Sequence, residues 1–217
     1  MTNPNLTHLY FLLDRSGSMD SIKTDTEGGF NAFMTEQRRV PGECRVTLAQ
    51  FDNEYEEIYR DLPVGVVPPL RLAPRGTTAL LDSIGRLVGE AGARLACLPE
   101  EQRPAVVIVG IMTDGLENAS RELTHAHVKA MIERQTTQFG WQFLYLGADQ
   151  DAIEVGASIG VPAQQSMTYS RGRVAAMMTA TSHNVGAARA AVASGASAKE
   201  ASAELWFDDQ QRRDAAD

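Results

Sequence analysis

The sequence predicts an α/β fold: a doubly wound, mostly parallel, Rossmann-like sheet with one antiparallel edge strand, followed by C-terminal helices. Three observations carry this. Leu6 to Asp14 (LTHLYFLLD) and Pro104 to Met112 (PAVVIVGIM) are nearly continuous apolar runs, each followed closely by or ending on an acid, as strands buried on both faces are. Strand-like and helix-like stretches alternate along the chain, the order of a parallel sheet covered on both sides. Arg45 to Phe51 and Glu54 to Asp61 are two strand-like stretches joined at Asp52-Asn53, a connection of hairpin length, so that pair is antiparallel.

The elements follow in order. After the first strand, Thr24-x-x-Glu27 offers a capping box, with Ser18 as an alternative start, and Phe30, Phe33, Met34 and Gln37 continue one helical face until Pro41-Gly42 stops it. The hairpin comes next, then a Pro-rich connector from Pro63 to Pro74 that leads to Arg75-Gly76-Thr77-Thr78. From Thr77 or Thr78 a helix is marked by Leu80, Leu81, Ile84, Leu87, Val88, Ala91 and Leu95 at helical spacing. Beyond the second buried strand stand Asp114, Gly115 and Asn118, then a helix from about Ser120 to Gln138. Trp141 to Gly147 is a third strand, Asp149 to Ile159 a short helix and Gln165 to Tyr169 a last strand.

The main domain is expected to span 1–170, with 171–217 a C-terminal helical extension. That tail divides at Gly195: Val174 to Ala193 forms one helix, and Ser197-x-x-Glu200 caps another that carries Leu205, Trp206 and Phe207. The charged and Ala-rich end, Asp208 to Asp217, is expected to fray. Trp206-Phe207 is expected to dock on the main domain, with a partner-binding anchor as the alternative.

Composition narrows the function classes. A chain of 217 residues, 43% hydrophobic, holds one large domain or a domain with an appendage. Twenty Lys plus Arg against 28 Asp plus Glu leave a net charge of −8, which argues against nucleic acid or an anionic membrane surface as partner. No apolar run approaches the ~20 residues needed to cross a bilayer, and Met1-Thr-Asn-Pro-Asn has no basic stretch leading into an apolar one. The expectation is a cytoplasmic protein. Cys44 and Cys97, without a CxxC, are expected as core residues rather than as a disulfide or a metal cluster.

In open α/β sheets ligands sit beyond the carboxyl ends of the strands. There the sequence places Asp14-Arg15-Ser16-Gly17-Ser18, Gly76-Thr77-Thr78 and Thr113-Asp114-Gly115. Two acids and several hydroxyls thus converge on one rim, with no His or Cys among them. Such an oxygen set suits a hard cation, Mg²⁺ or Mn²⁺ with Ca²⁺ also admissible, better than Zn²⁺ or copper.

Asp14-x-Ser16-x-Ser18, then Thr78, then Asp114-Gly115, resembles the von Willebrand factor A (VWA) domain and its metal-ion-dependent adhesion site (MIDAS). The likeness runs over roughly residues 6 to 170. The run Asp25 to Glu36 and the stretch Gly147-Ala-Asp-Gln-Asp-Ala-Ile further resemble an intracellular bacterial and phage-borne subgroup. The resemblance implies that Ser16, Ser18 and Thr78 offer hydroxyl oxygens to the metal, while Asp14 and Asp114 act directly or through water, with Asp114 the one to switch. It selects Thr78 over Thr77 because threonine stands second after the glycine. It further implies that an Asp or Glu of a protein partner completes the coordination, in a binding module that is not an enzyme.

The residues admit two rival readings. Aspartates after a buried strand also serve phosphotransferases, whose second acid two positions on is here Ser16; no GxSxG, P-loop or GxGxxG is present. His125 and His127 stand two apart on a helix and face apart, and His8 and His183 are expected to pack or lie at the surface. The other rival is an assembly or structural protein whose metal site is stabilising or vestigial, with its interaction surface elsewhere, for example around Trp206-Phe207.

Overall fold

The computed structural model describes residues 2–216. Strand β1 (Asn3–Asp14) leads through a 3-10 turn, Gly17–Ile22, into α1 (Lys23–Gln37). The hairpin of β2 (Glu43–Phe51) and β3 (Tyr55–Pro63) follows, then α2 (Leu80–Cys97), β4 (Pro104–Thr113), α3 (His125–Phe139) and β5 (Gln142–Ala148). The chain ends with α4 (Ala152–Ser158), β6 (Ser166–Tyr169), α5 (Val174–Ala193), the short α6 (Ala198–Ala201) and α7 (Asp209–Ala216).

The strands form one sheet in the order β3-β2-β1-β4-β5-β6, with β3 antiparallel at one edge and every other pairing parallel. This is the sheet expected from the apolar runs and the hairpin. β1 lies between β2 and β4, so both of its faces must be covered, and its alternating residues divide the core. Leu9, Phe11 and Leu13 pack with Phe30, Phe33 and Met34 of α1 and with Val174, Met177 and Met178 of α5. Tyr10 and Leu12 pack on the other side with Leu81, Ile84, Leu87 and Val88 of α2 and with Val128 and Ile132 of α3. Each such fully buried side chain contributes about 1.5–3 kcal/mol. Phe11 meets Phe30 and Phe33 edge-on, with centroids 5.1 and 5.2 Å away, and lies over Gly110, where an added Cβ would stand 3.0 Å from its ring.

Several expectations require correction. The capping box at Thr24 does not form: α1 starts at Lys23, and Glu27 Oε1 instead accepts from the Leu72 N–H at 2.8 Å, holding the connector against the helix. The helix expected from Ser120 begins only at His125. Asp82 takes the N–H groups of Arg121, Glu122 and Leu123, which keeps those residues out of a helix, and Thr124 is the N-cap. Cys44 is buried, but Cys97 at the end of α2 is exposed.

The tail is more ordered than its composition suggests. α5 packs into the same core as β1 and α1. The capping box of Ser197 and Glu200 is present, but α6 is only four residues long and passes into a 3-10 turn, Ser202–Leu205. Trp206 and Phe207 lie beyond it and part company: Phe207 is buried, while Trp206 is 54% exposed. Within the end expected to fray, Asp209–Ala216 forms α7, and Asp217 lies outside the described residues. Arg212 donates to the carbonyls of Ser166 and Ala163, both at 2.7 Å, and the Ser170 N–H donates to the Ala215 carbonyl at 2.9 Å. These long-range partners for β6 have no signature in local composition. Among the described residues no helix is long and apolar enough to cross a membrane.

Candidate metal site

Parallel neighbours β1 and β4 end side by side, with Leu13 opposite Met112, so the loops that follow them emerge together. Asp14 closes β1 and is wholly buried. The Ser16 N–H donates to its Oδ1 at 2.6 Å, which turns the chain sharply, and Thr113 Oγ1 donates to its Oδ2 at 2.7 Å. Ser16 Oγ then lies 3.1 Å from Ser18 Oγ, and Ser18 Oγ donates to Asp114 Oδ1 at 2.6 Å. Gly115 completes the cluster, since a Cβ there would stand 3.3 Å from Thr78 Oγ1 and 3.7 Å from Ser18 Oγ. The structure therefore brings together all five residues singled out in the sequence: Asp14, Ser16, Ser18, Thr78 and Asp114. Thr78 is buried with its hydroxyl toward this point, whereas Thr77 is exposed and lines a neighbouring cleft.

The loops are held by Asp52, a residue that in the sequence stands only as part of a hairpin turn. Asp52 is fully buried, and its Oδ2 accepts from Arg15 Nε at 3.0 Å and from Arg75 Nε at 2.7 Å. Its carbonyl accepts from the Ala79 N–H at 2.8 Å, the Arg75 N–H donates to the Arg15 carbonyl at 2.8 Å, and the Gly17 N–H reaches the Gly76 carbonyl at 3.3 Å. One aspartate thus clamps the Asp14-to-Ser18 loop to the Gly76-to-Thr78 loop. Gly76 has φ 68, and a Cβ there would lie 2.2 Å from Asn53 Oδ1, so the loop requires glycine. Burial opposes ionisation of Asp52, but the Arg75 hydrogen bond, the Glu54 N–H and Arg15 outweigh it, and its carboxyl is held below the usual range. The available signal is an acid just after β2 together with arginines placed inside two loops that carry candidate ligands.

The third loop is tied in the same way. Asn118 Oδ1 accepts from the Thr78 N–H at 2.9 Å, the Asn118 N–H donates to the Thr78 carbonyl at 3.1 Å, and Glu117 accepts from the Leu81 N–H at 2.9 Å at the start of α2.

The charge distribution fits a cation. Burial pushes the Asp14 carboxyl up to about 6, against the hydrogen bonds from Thr113 and Ser16 and with a further push from Asp114. A divalent ion would relieve that penalty. The buried phenols of Tyr145 and Tyr169 are pushed up by burial and by the nearby acids, so neither supplies an anionic oxygen. Among the described residues no group of three or more His, Cys, Asp or Glu side chains could hold a metal. The donor set here is instead three hydroxyls and two carboxylates, oxygen throughout. Arg171 Nη2 donates to Asp114 Oδ2 at 3.3 Å and is the cation in contact with the set.

No protein-family model matches the sequence, and no curated protein sequence matches it. Solved structures do. The chain is similar to proximal thread matrix protein 1 from the mussel byssus, with TM-score 0.57 and 17% identity over 82% of this chain and 46% of that one. Another structure of the mussel protein, with a zinc-occupied MIDAS motif, gives TM-score 0.54, also at 17% identity, over 82% of this chain and 45% of that one. The vWF domain of the type V pili tip protein Mfa5 from Porphyromonas gingivalis gives TM-score 0.57 at 12% identity, over 82% of this chain and 94% of that one. The ArnB paralog VWA2 from Sulfolobus acidocaldarius gives 0.53 at 16%, over 82% of this chain and 45% of that one. The chain spans a little under half the length of the mussel and Sulfolobus proteins. Sheet order, strand directions, helices on both faces and these likenesses together show that the chain has the von Willebrand factor A fold.

Proposed function

We propose that this domain is a non-enzymatic module that binds protein partners through a divalent cation held by Asp14, Ser16, Ser18, Thr78 and Asp114. The observation that carries the reading is the continuous run of oxygens from Ser16 through Ser18 to Asp114, joined by Thr78 across Gly115. Mg²⁺ or Mn²⁺ fits this set, and Ca²⁺ is admissible. When bound, the ion supplies a Lewis-acidic centre whose coordination an Asp or Glu of the partner completes. The protein's part is to fix the oxygens beforehand. Asp14, with both oxygens engaged by hydrogen bonds, orients the loop, while Ser18, which is exposed, presents its hydroxyl at the surface. Partner and metal then strengthen each other's binding by linkage.

Support for a binding role over catalysis comes from the same geometry. Asp14 is buried and occupied, so it is not available as a nucleophile, and no histidine hydrogen-bonds to any of the five residues among the described residues. The reading places the protein in the cytoplasm, away from nucleic acid and membranes; its net charge of −8 and two free cysteines support this. A structural role with the contact surface elsewhere is favoured by one feature, the exposed Trp206 beside a cavity of about 570 Å³.

The test is calorimetric titration of Mg²⁺ and Mn²⁺ into the purified protein, then partner capture with and without EDTA, with Asp14→Ala and with Trp206→Ala. The metal bridge requires metal binding by the wild type and loss of capture with EDTA and with Asp14→Ala. Capture that survives both, in a folded variant, and falls only with Trp206→Ala would establish the structural reading instead.

A further inference from the structure

We infer that Arg171 is a second anchor for the partner: it takes the carboxylate oxygen that the cation leaves free, so the site selects a planar side-chain carboxylate. This rests on the metal-bridge reading above.

Arg171 opens the 3-10 turn Arg171–Arg173 between β6 and α5. Its Nη2 donates to Asp114 Oδ2 at 3.3 Å, and its Nε lies 3.2 Å from Asp149 Oδ2. Asp149 adopts φ 48, a left-handed conformation that residues other than glycine rarely take, and its N–H is pinned to the Tyr169 carbonyl at 2.9 Å. The β5–α4 loop therefore accepts an unfavourable backbone where its carboxylate meets this guanidinium. Held on one edge by two acids, the Arg171 side chain is still 44% exposed, and its Nη1 has no hydrogen-bond partner among the described residues. By contrast, Arg15 and Arg75 both turn to Asp52.

The charge logic points the same way. A guanidinium in contact with a metal-binding carboxylate repels the metal, so a site evolved for the ion alone would do better without it. The cost makes sense once an anion arrives, because a guanidinium presents its donors in a planar fork that matches a carboxylate. Although the net charge is −8, the structure puts a partly free cation against the ligand set.

The test uses the full chain with Mn²⁺ as metal and acetate as probe, and reads the displacement of metal-bound water by water-proton relaxation. Arg171→Gln is expected to bind Mn²⁺ at least as tightly as the wild type, and acetate about tenfold more weakly at saturating Mn²⁺. Arg171→Lys, which keeps the charge but not the fork, should recover only part of the acetate affinity. Thermal melting of both variants checks that they fold. Unchanged acetate affinity in Arg171→Gln overturns the inference. So does a parallel loss of Mn²⁺ and acetate binding with a lowered melting temperature, since that is the behaviour of a structural brace. Tighter binding of inorganic phosphate than of acetate by the wild type overturns the carboxylate preference. A wild type that fails to bind Mn²⁺ at all overturns the metal-bridge reading, and this inference with it.

Discussion

Ser18 Oγ donates to Asp114 Oδ1 over 2.6 Å, across 96 positions of sequence. The two residues meet because β1 and β4 are parallel neighbours whose chains leave the sheet at the same end. With Ser18 donating to Asp114, its oxygen is left to accept from Ser16 Oγ at 3.1 Å, so the rim is one directed network. A cation at this point would be held by lone pairs of these hydroxyls, whose protons stay in place to donate to the carboxylates.

Metal binding should therefore stabilise the fold. At a free Mg²⁺ or Mn²⁺ concentration 100 times the dissociation constant, the gain is about 2.7 kcal/mol, which in a domain of this size raises the melting temperature by roughly 5–10 °C. Scanning calorimetry with metal and with EDTA measures it. Asp14→Ala should abolish the shift, and a shift that persists in this variant would sink the assignment of the site.

Asp52→Ala should be among the most damaging single changes outside the core. It leaves Arg15, only 7% exposed as a side chain, with Glu56 as its remaining carboxylate partner, and frees Arg75 from its buried partner. Breaking such a buried pair costs about 3–5 kcal/mol. Urea unfolding measures the stability loss. Metal affinity should fall with it, because both arginines stand in loops that carry the proposed ligands.

His8 gives the fold a pH dependence. It is buried in β1, its Nε2 lies 2.9 Å from Thr47 Oγ1, and Thr47 Oγ1 also accepts from the Asp61 N–H at 3.0 Å. Burial first, then Arg94 and Arg45, lower its pKa from 6.5 to about 3, although Asp61 Oδ1 stands 3.8 Å from Nδ1. Between these values the unfolded chain binds a proton that the fold refuses, so this contribution is lost as pH falls below 6.5, by up to about 1.4 kcal/mol per pH unit. Asp14 runs the other way: its raised carboxyl favours the metal-free fold as pH falls through about 6. In the wild type the Asp14 gain offsets only part of the His8 loss. The difference between His8→Gln and wild type isolates His8, and in EDTA it should move by roughly 2 kcal/mol in favour of the variant between pH 7 and pH 5. Urea titrations at the two pH values check this, and a constant difference would refute it.

Removal of residues 208–217 should weaken the domain by about 2–4 kcal/mol. The deletion strips two Arg212 hydrogen bonds from the β6 region, the Ser170–Ala215 backbone bond and the paired amides of Gln211 and Asn184. A melting temperature that stays put would mean that α7 contributes no stability. Because Arg171 stands one residue beyond Ser170, which α7 holds, acetate affinity at saturating Mn²⁺ should fall as well.

The sheet was legible because buried strands must be apolar on both faces, and runs such as Leu6 to Leu13 have no other economical use. The candidate site was legible because a small oxygen cage needs short side chains and tight turns at fixed spacing, and Asp14-x-Ser16-x-Ser18 states that spacing locally. What could not be read were partners far apart in sequence. Nothing near Asp82 shows that it holds Arg121 to Leu123 out of α3. Nor does the charged stretch after Phe207 reveal that Arg212 will find the carbonyls of Ser166 and Ala163.

By itself, then, the sequence determined the alternation of strands and helices and the hairpin edge, since periodicity and turn chemistry are local, and its resemblance to the VWA domain singled out the five oxygen-bearing residues. Only the tertiary structure decided that Asp52 clamps two ligand loops, that Arg171 leans on Asp114 with donors to spare, and that the last helix docks. Those depend on which groups remain unsatisfied once the sheet has closed, and a buried charge or carbonyl takes its partner from whatever part of the chain the fold brings near.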